Sequence, residues 1–241
     1  LRSALAKDVT PVRAAGADLR GAVITLVLGA IVLWLVLVGL GHLLTHSWSG
    51  SAVIRWDHSV ERALANHRTA TLTSLTHYAT FAAQTRIVIG LGALIFIVLR
   101  LVSGGWRPSI FLAVTLIGEV AIFLCTTLVV DRSRPDVPRL DGAPPTSSFP
   151  SGHTAAAVSL YGSLAVIAFA LAAQVWLKAV FATLAVAMPV AVALSRLYRG
   201  MHFPTDVICG ALFALLWLSL SRSVLLQPTT RSRAGEPEPA R

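Results

Sequence analysis

Three short polar stretches interrupt an otherwise apolar sequence, and their residue types are those of phosphoryl chemistry. They are Asp131-Arg132-Ser133-Arg134-Pro135, then Pro150-Ser151-Gly152-His153, then Ser195-Arg196 running through His202 to Asp206. Arginine presents a planar fork of donors that matches phosphate oxygens two at a time. Ser151 and Gly152, at the start of an apolar run, offer a hydroxyl and a closely approachable backbone N–H at the positive end of a helix. His153 and His202 supply what neutral-pH chemistry needs beyond binding, one imidazole to attack and one to donate a proton. His202 and Asp206 are four residues apart, about one helical turn, so the carboxylate is expected to hold one ring nitrogen and aim the other.

These residues can cooperate only if the elements that carry them meet. Of 241 residues, 55% are hydrophobic and 13% charged, and mean hydropathy is +0.73. Soluble domains carry about 25% charged residues, so the composition excludes disorder and disfavours a cytosolic enzyme. The net charge of +9, from 20 Lys+Arg against 11 Asp+Glu, is no nucleic-acid signal, because the cations sit between long apolar runs. Cys125 and Cys209 lie inside such runs, which suggests neither a disulfide framework nor a thiolate metal site.

The first run, Ala22 to Leu44, is long enough to cross a hydrocarbon core of about 30 Å and too long for a signal-peptide core, so it is expected to be a retained helix. Further spans are expected at Pro108–Val130, Thr154–Ala173, Ala179–Ala193 extended to about Leu197, and Pro204–Leu220. The weakest, Ile87–Leu99, reaches spanning length when extended back through Tyr78 and Phe81, with Arg86 snorkelling. Between it and the first span, Thr45–Thr76 contains Val53, Ile54, Trp56, Val60, Ala63 and Leu64, the pattern of a short amphipathic helix on the membrane surface. The expected architecture is all-α, a polytopic membrane protein with six transmembrane helices. It divides into a cytoplasmic segment over 1–21, a six-helix domain over 22–222 and a disordered cytoplasmic tail over 223–241.

An even number of crossings separates the three polar stretches, so all open on one face. With both termini in the cytoplasm, eleven of the 20 basic residues lie inside and nine outside; setting aside Arg132, Arg134 and Arg196 as ligand-binding leaves eleven against six. That bias puts the polar stretches on the extracytoplasmic face of a plasma membrane. Trp48, Trp56, Trp106 and Trp176 fall near helix ends, as an aromatic belt requires.

In these stretches the sequence resembles the type 2 phosphatidic acid phosphatase (PAP2) family of integral-membrane lipid phosphatases, related to vanadium haloperoxidases. The second family motif, Pro-Ser-Gly-His, is complete at Pro150–His153; the third, Ser-Arg, five residues, His, three residues, Asp, is complete with Ser195, Arg196, His202 and Asp206. The first, Lys, six residues, Arg-Pro, keeps Arg134-Pro135 but has Thr127 where the family has Lys, and Arg132 fits a further common arginine. Thr127 offers one hydrogen bond and no charge, so one phosphate contact is weakened or supplied from elsewhere. The resemblance implies a haloperoxidase-like helical core and hydrolysis of a lipid phosphate or diphosphate, with membrane lipids as surroundings. It implies that His202 attacks phosphorus to give a phosphohistidine, that Asp206 supports it, and that His153 serves as acid and then base. Arg132, Arg134, Arg196, Ser151 and the Gly152 amide are implied to hold the oxygens, with no metal and no other cofactor. The alternatives are a phosphotransferase using the same site and a non-enzymatic lipid-phosphate binder or flippase.

Other polar residues have plainer readings. His42, His46, His58, His67 and His77 are expected to be solvated or interfacial. Glu119, 13 residues before Arg132 and so about 20 Å along a helix, is too far to reach the phosphate and is expected to make an interhelical contact. Phe149 and Tyr198 are expected to be wall residues.

Overall fold

The computed structural model describes the backbone of residues 10–142 and 146–226, with side chains from residue 19. Residues 1–9, 143–145 and 227–241 lie outside the described residues, and with them the expectation of disorder for 227–241; residues 223–225, expected in that tail, are instead the end of the last helix. Among the described residues there are eight α-helices and no strand. Helix α1 (Thr10–His42) continues through five residues of wider, π-type turn (Leu43–Ser47); α2 (Ala52–Asn66), α3 (Ala70–Phe81) and α4 (Thr85–Val102) follow. After them come α5 (Arg107–Thr127), α6 (Gly152–Leu171), α7 (Val175–Tyr198) and α8 (Pro204–Leu225). Six are long and apolar enough to span a bilayer, Leu19–Ser47 and α4 to α8. Hydrocarbon offers backbone groups no partner, and a helix satisfies them within one segment. The chain is a multi-pass, all-α membrane protein. Trp48, Trp56, Trp106 and Trp176 are all exposed, as interfacial tryptophans are.

Two elements differ from expectation. The second span does not run back through Tyr78: the helix breaks at Ala82–Gln84, leaving α3 and α4 separate, with Gln84 in an extended conformation. Packing fixes the break. Ala83 is buried against Ala157 of α6 and Val192 of α7, and the Tyr161 hydroxyl donates to the Ala82 carbonyl at 3.4 Å. Helix α4 alone, with 18 residues, is about 27 Å long, enough to cross. The amphipathic stretch is likewise two helices, and the face of α2 turned into the bundle carries carboxylates as well as an apolar residue. Ile54, Asp57 and Glu61 form its buried stripe, while Val53 and Trp56 are exposed.

Helix α6 lies at the centre, packed by α4, α5, α7 and α8. One apolar cluster joins Leu37, Ile122, Phe149, Val158, Phe213 and Trp217; a second joins Val88, Phe111, Leu112, Leu160 and Leu218. Phe149 is a fully buried wall residue, and Glu119 is buried within α5. Close approach at the site end depends on two glycines. A Cβ on Gly152 would meet the Phe123 ring at 2.8 Å, and one on Gly210 would stand 2.6 Å from the Ser151 carbonyl oxygen and 3.3 Å from its nitrogen. Backbone cannot swing aside as a ring can. Gly210→Ala is therefore expected to destabilise the protein by about 1–3 kcal/mol, read as a lowered unfolding temperature in detergent, whereas an unchanged temperature would show that α6 and α8 separate freely.

Candidate active site

Backbone hydrogen bonds stitch the three polar stretches together on one face. Ser148 N–H donates to the Arg132 carbonyl at 2.9 Å, Ser151 N–H to Asp206 O at 3.0 Å, and Met201 N–H to Arg196 O at 3.0 Å. Beneath them, Pro204 opens α8, where its missing N–H and fixed φ cost nothing. The Asp206 carboxylate folds back on this first turn, and its Oδ2 accepts the Phe203 N–H at 2.9 Å.

That cap changes the expected partner of His202. The ring's Nδ1 lies 2.7 Å from the Ser148 carbonyl, whereas Asp206 Oδ2 is 3.8 Å away. A carbonyl only accepts, so Nδ1 carries the proton and Nε2 keeps its lone pair. Ser148 thus orients the ring, and Asp206 acts on it as a nearby negative charge. His202 is almost fully buried. Burial pulls its imidazole below the ordinary value, against the pull of Asp206, and Arg196 and Arg134 add to the fall. His153, at the first turn of α6, is within charge–charge reach of His202, Arg196, Arg134 and Asp141.

The arginines divide into two kinds. Arg132, expected on the phosphate, is committed elsewhere: its Nη1 donates to Asp206 Oδ1 and to Thr205 Oγ1 (2.8 Å), and its Nη2 to Asp57 Oδ2 (2.7 Å). Its guanidinium also stacks 4.5 Å above the Phe203 ring. Two buried carboxylates hold it, and removing one member of such a network leaves an uncompensated charge at about 3–5 kcal/mol. Arg134 and Arg196, in contrast, each keep a buried Nε–H without a partner among the described residues. Arg134 Nη1 donates to the Met201 carbonyl at 2.9 Å, which lashes it beside His202. Burial pulls its guanidinium below the ordinary range, with Asp206 opposing and Arg139 adding to the fall. Arg196 Nη1 donates to Asp141 Oδ2 at 2.8 Å. Arg199 holds the same carboxylate through Nε at 2.8 Å and Nη2 at 2.6 Å. Burial raises the Asp141 pKa, but the Arg199 hydrogen bond and the charges of Arg196 and Arg199 outweigh it and hold the carboxyl below its usual range.

Ser151 and Thr127 depart from the simple expectation. Ser151 is fully buried with its hydroxyl 3.0 Å from that of Thr154, so its side chain supports the turn and the open donors are the amides of Gly152 and His153, which lack an intrahelical acceptor. Thr127 donates to Leu124 O at 2.9 Å in its own helix. It lines the rim of an open polar cavity of about 620 Å³ together with Asp131, Arg132, Arg134 and Arg139. Tyr198 is a buried anchor, its hydroxyl accepting the Thr69 N–H at 2.8 Å. His42, His46, His67 and His77 are exposed, as expected; His58 differs, half-buried with Nδ1 3.1 Å from Glu61 Oε1.

Sequence reasoning missed Ser148, Asp141, Arg199, Arg139, Asp57 and Thr205. Of these Asp57 left a signal, since Ile54, Asp57 and Glu61 recur at three and four residues, a helical stripe that runs inward.

A sequence profile of the PAP2 superfamily matches residues 108–228, half the chain, and takes in all three polar stretches. The chain belongs to the PAP2 superfamily. Its fold is similar to the crystal structure of a transmembrane PAP2-type phosphatidylglycerolphosphate phosphatase from Bacillus subtilis, at 22% identity and a TM-score of 0.66, over 81% of this chain and 94% of that one. It is also similar to Aquifex aeolicus LpxE, at 22% identity and a TM-score of 0.53, over 68% and 93% of the two chains. No curated protein matches the sequence. The PAP2 family assignment makes this protein a membrane phosphatase.

Proposed function

We propose that this PAP2 protein hydrolyses a lipid phosphate or diphosphate through a phosphohistidine on His202. The observation that carries the phosphate reading is the pair of buried, unpartnered Nε–H groups of Arg134 and Arg196. A buried donor without an acceptor costs about 1–3 kcal/mol, and an anion between them removes that cost. His202 Nε2 attacks phosphorus in line, the bond to the leaving oxygen breaks, and His153 gives that oxygen its proton. His153 then takes a proton from water as the water attacks the phosphohistidine and the P–N bond breaks. A bound phosphate raises the proton affinity of a neighbouring imidazole, which readies His153 for its first role. Arg134, Arg196 and the Gly152 amide neutralise the charge that builds on the oxygens, a task that needs no metal in this scheme. With the eleven-to-nine bias of basic residues, the site faces outward from the plasma membrane and both termini face the cytoplasm.

The lipid class is tested directly. Purified protein is expected to release phosphate from at least one of polyprenyl diphosphate, phosphatidylglycerol phosphate and phosphatidate, with excess chelator present; inactivity on all three and on soluble phosphate esters rejects the hydrolase. Because burial lowers the His202 pKa, the nucleophile stays unprotonated to lower pH than a free imidazole. The acid limb of kcat/KM is expected below the ordinary value of about 6.5, and a limb above that value would point to another nucleophile.

A further inference from the structure

We propose that Asp57, on the extramembrane helix α2, is a positioning residue that sets the charge felt by His202. Its side chain is fully buried and seated by three donors from two other elements. Oδ1 accepts the Thr205 N–H at 3.0 Å, and Oδ2 accepts the Thr205 hydroxyl at 2.5 Å and Arg132 Nη2 at 2.7 Å. Arg132 reaches past it to Asp206 Oδ1, and the other oxygen of Asp206 stands 3.8 Å from His202 Nδ1. Asp57, Arg132 and Asp206 therefore form a buried row that ends at the reacting imidazole.

The net charge of that row decides what His202 feels. Were Arg132 opposed by Asp206 alone, the two would cancel and His202 would face a neutral pair. Asp57 absorbs the Arg132 charge, so the row keeps one net negative charge at its Asp206 end. An imidazole that becomes phosphorylated develops positive charge, and that negative charge stabilises it. The other charged or titratable groups around His202 are Arg196 of α7, Arg134 of the α5–α6 segment and His153 of α6. Around Asp57 they are Arg132, Asp206 and the Cys209 thiol of α8, with Glu61 and its partner His58 on its own helix, the His58 ring standing edge-on to Phe203 at 5.2 Å. None of these replaces the Asp57 carboxylate against Arg132.

This inference rests on His202 being the nucleophile. Asp57→Asn makes the row neutral, so kcat is expected to fall about 10- to 100-fold, the size of effect that loss of an outer partner has on a metal-bound imidazole, with KM changed less than about threefold. With less negative charge nearby, His202 loses its proton at lower pH, so the acid limb of kcat/KM moves down by about one pH unit. Asp57→Asn with Arg132→Gln restores one net negative charge, and the limb is expected to return toward its wild-type position. A structural role alone predicts no such return. An unmoved limb, or one that stays displaced in the double variant, overturns the proposal. If the Asp57→Asn protein does not fold, Asp57→Glu carries the test, because it keeps the charge but shifts it by one methylene. Because the charge is retained, the limb is expected to stay at its wild-type position with kcat within about tenfold of wild type, and a shifted limb overturns the proposal. Failure of the nucleophile assignment looks different: wild-type protein then carries no acid-labile phosphate on histidine during turnover.

Discussion

His202→Ala is expected to reduce phosphate release at least about 1,000-fold while leaving substrate binding within a few-fold of wild type. Removing a nucleophile takes away the reaction path, and what remains is the binding and charge stabilisation provided by the rest of the site. The imidazole is held by the Ser148 carbonyl at 2.7 Å with Nε2 left open, so alanine leaves a small gap and no unpaired charge, and the fold is expected to persist. The companion variant is His153→Ala, assayed with an aryl phosphate whose leaving oxygen needs no proton. The first step then proceeds and the second lacks its base, so phosphohistidine accumulates and a burst of the phenol, one per enzyme, precedes slow turnover. A His202→Ala protein that retains a tenth of its activity would falsify the nucleophile assignment. A burst missing from His153→Ala would remove His153 from the second step.

The legible part of this protein was what depends on chain-local chemistry. Six apolar runs announce six spans because hydrocarbon accepts little else. Pro150 to His153 and Ser195 to Asp206 announce the polar face because charge inside such a sequence needs a purpose. The illegible part was partner choice between segments far apart in sequence. Asp206 sits one turn from His202, and spacing alone pairs them; yet a carboxylate at a helix start also finds its own N-cap amide and, across 74 residues, Arg132. Similarly, hydropathy marks Val53 and Trp56 as the membrane side of α2 but does not say what the opposite side meets; Arg132 arrives there from the α5–α6 segment, and Asp57 and Asp206 compensate its charge. Arg132 and Arg196 look alike in the sequence. What separates them is which carboxylate waits for each, two for Arg132 and a shared one for Arg196.

Arg196 should therefore matter more to the reaction than Arg132 does through direct contact, and Arg196→Gln is expected to lower kcat/KM about 100- to 1,000-fold, as loss of one charge-stabilising donor group does. The guanidinium is almost fully buried at the end of α7. Asp141 takes one Nη1 hydrogen, and Arg199 braces that carboxylate from the other side. Arg196 is consequently fixed in direction before substrate arrives, with its Nε–H still unpartnered among the described residues, so its donors need no reorganisation as charge builds. Arg196→Lys keeps the charge but loses the fork; an ammonium cannot hold Asp141 and a phosphate in the same plane, so lysine is expected to recover only part of the loss. Vanadate separates stabilisation of the reacting state from mere substrate binding, since it adopts the five-coordinate geometry of in-line attack on phosphorus. If Arg196 acts on the phosphoryl oxygens as charge develops, its substitutions weaken vanadate inhibition by nearly the factor they remove from kcat/KM. A vanadate inhibition constant unmoved by Arg196→Gln, in protein that still unfolds at the wild-type temperature, would place Arg196 outside the reacting centre and leave Arg134 as the arginine that holds the phosphate.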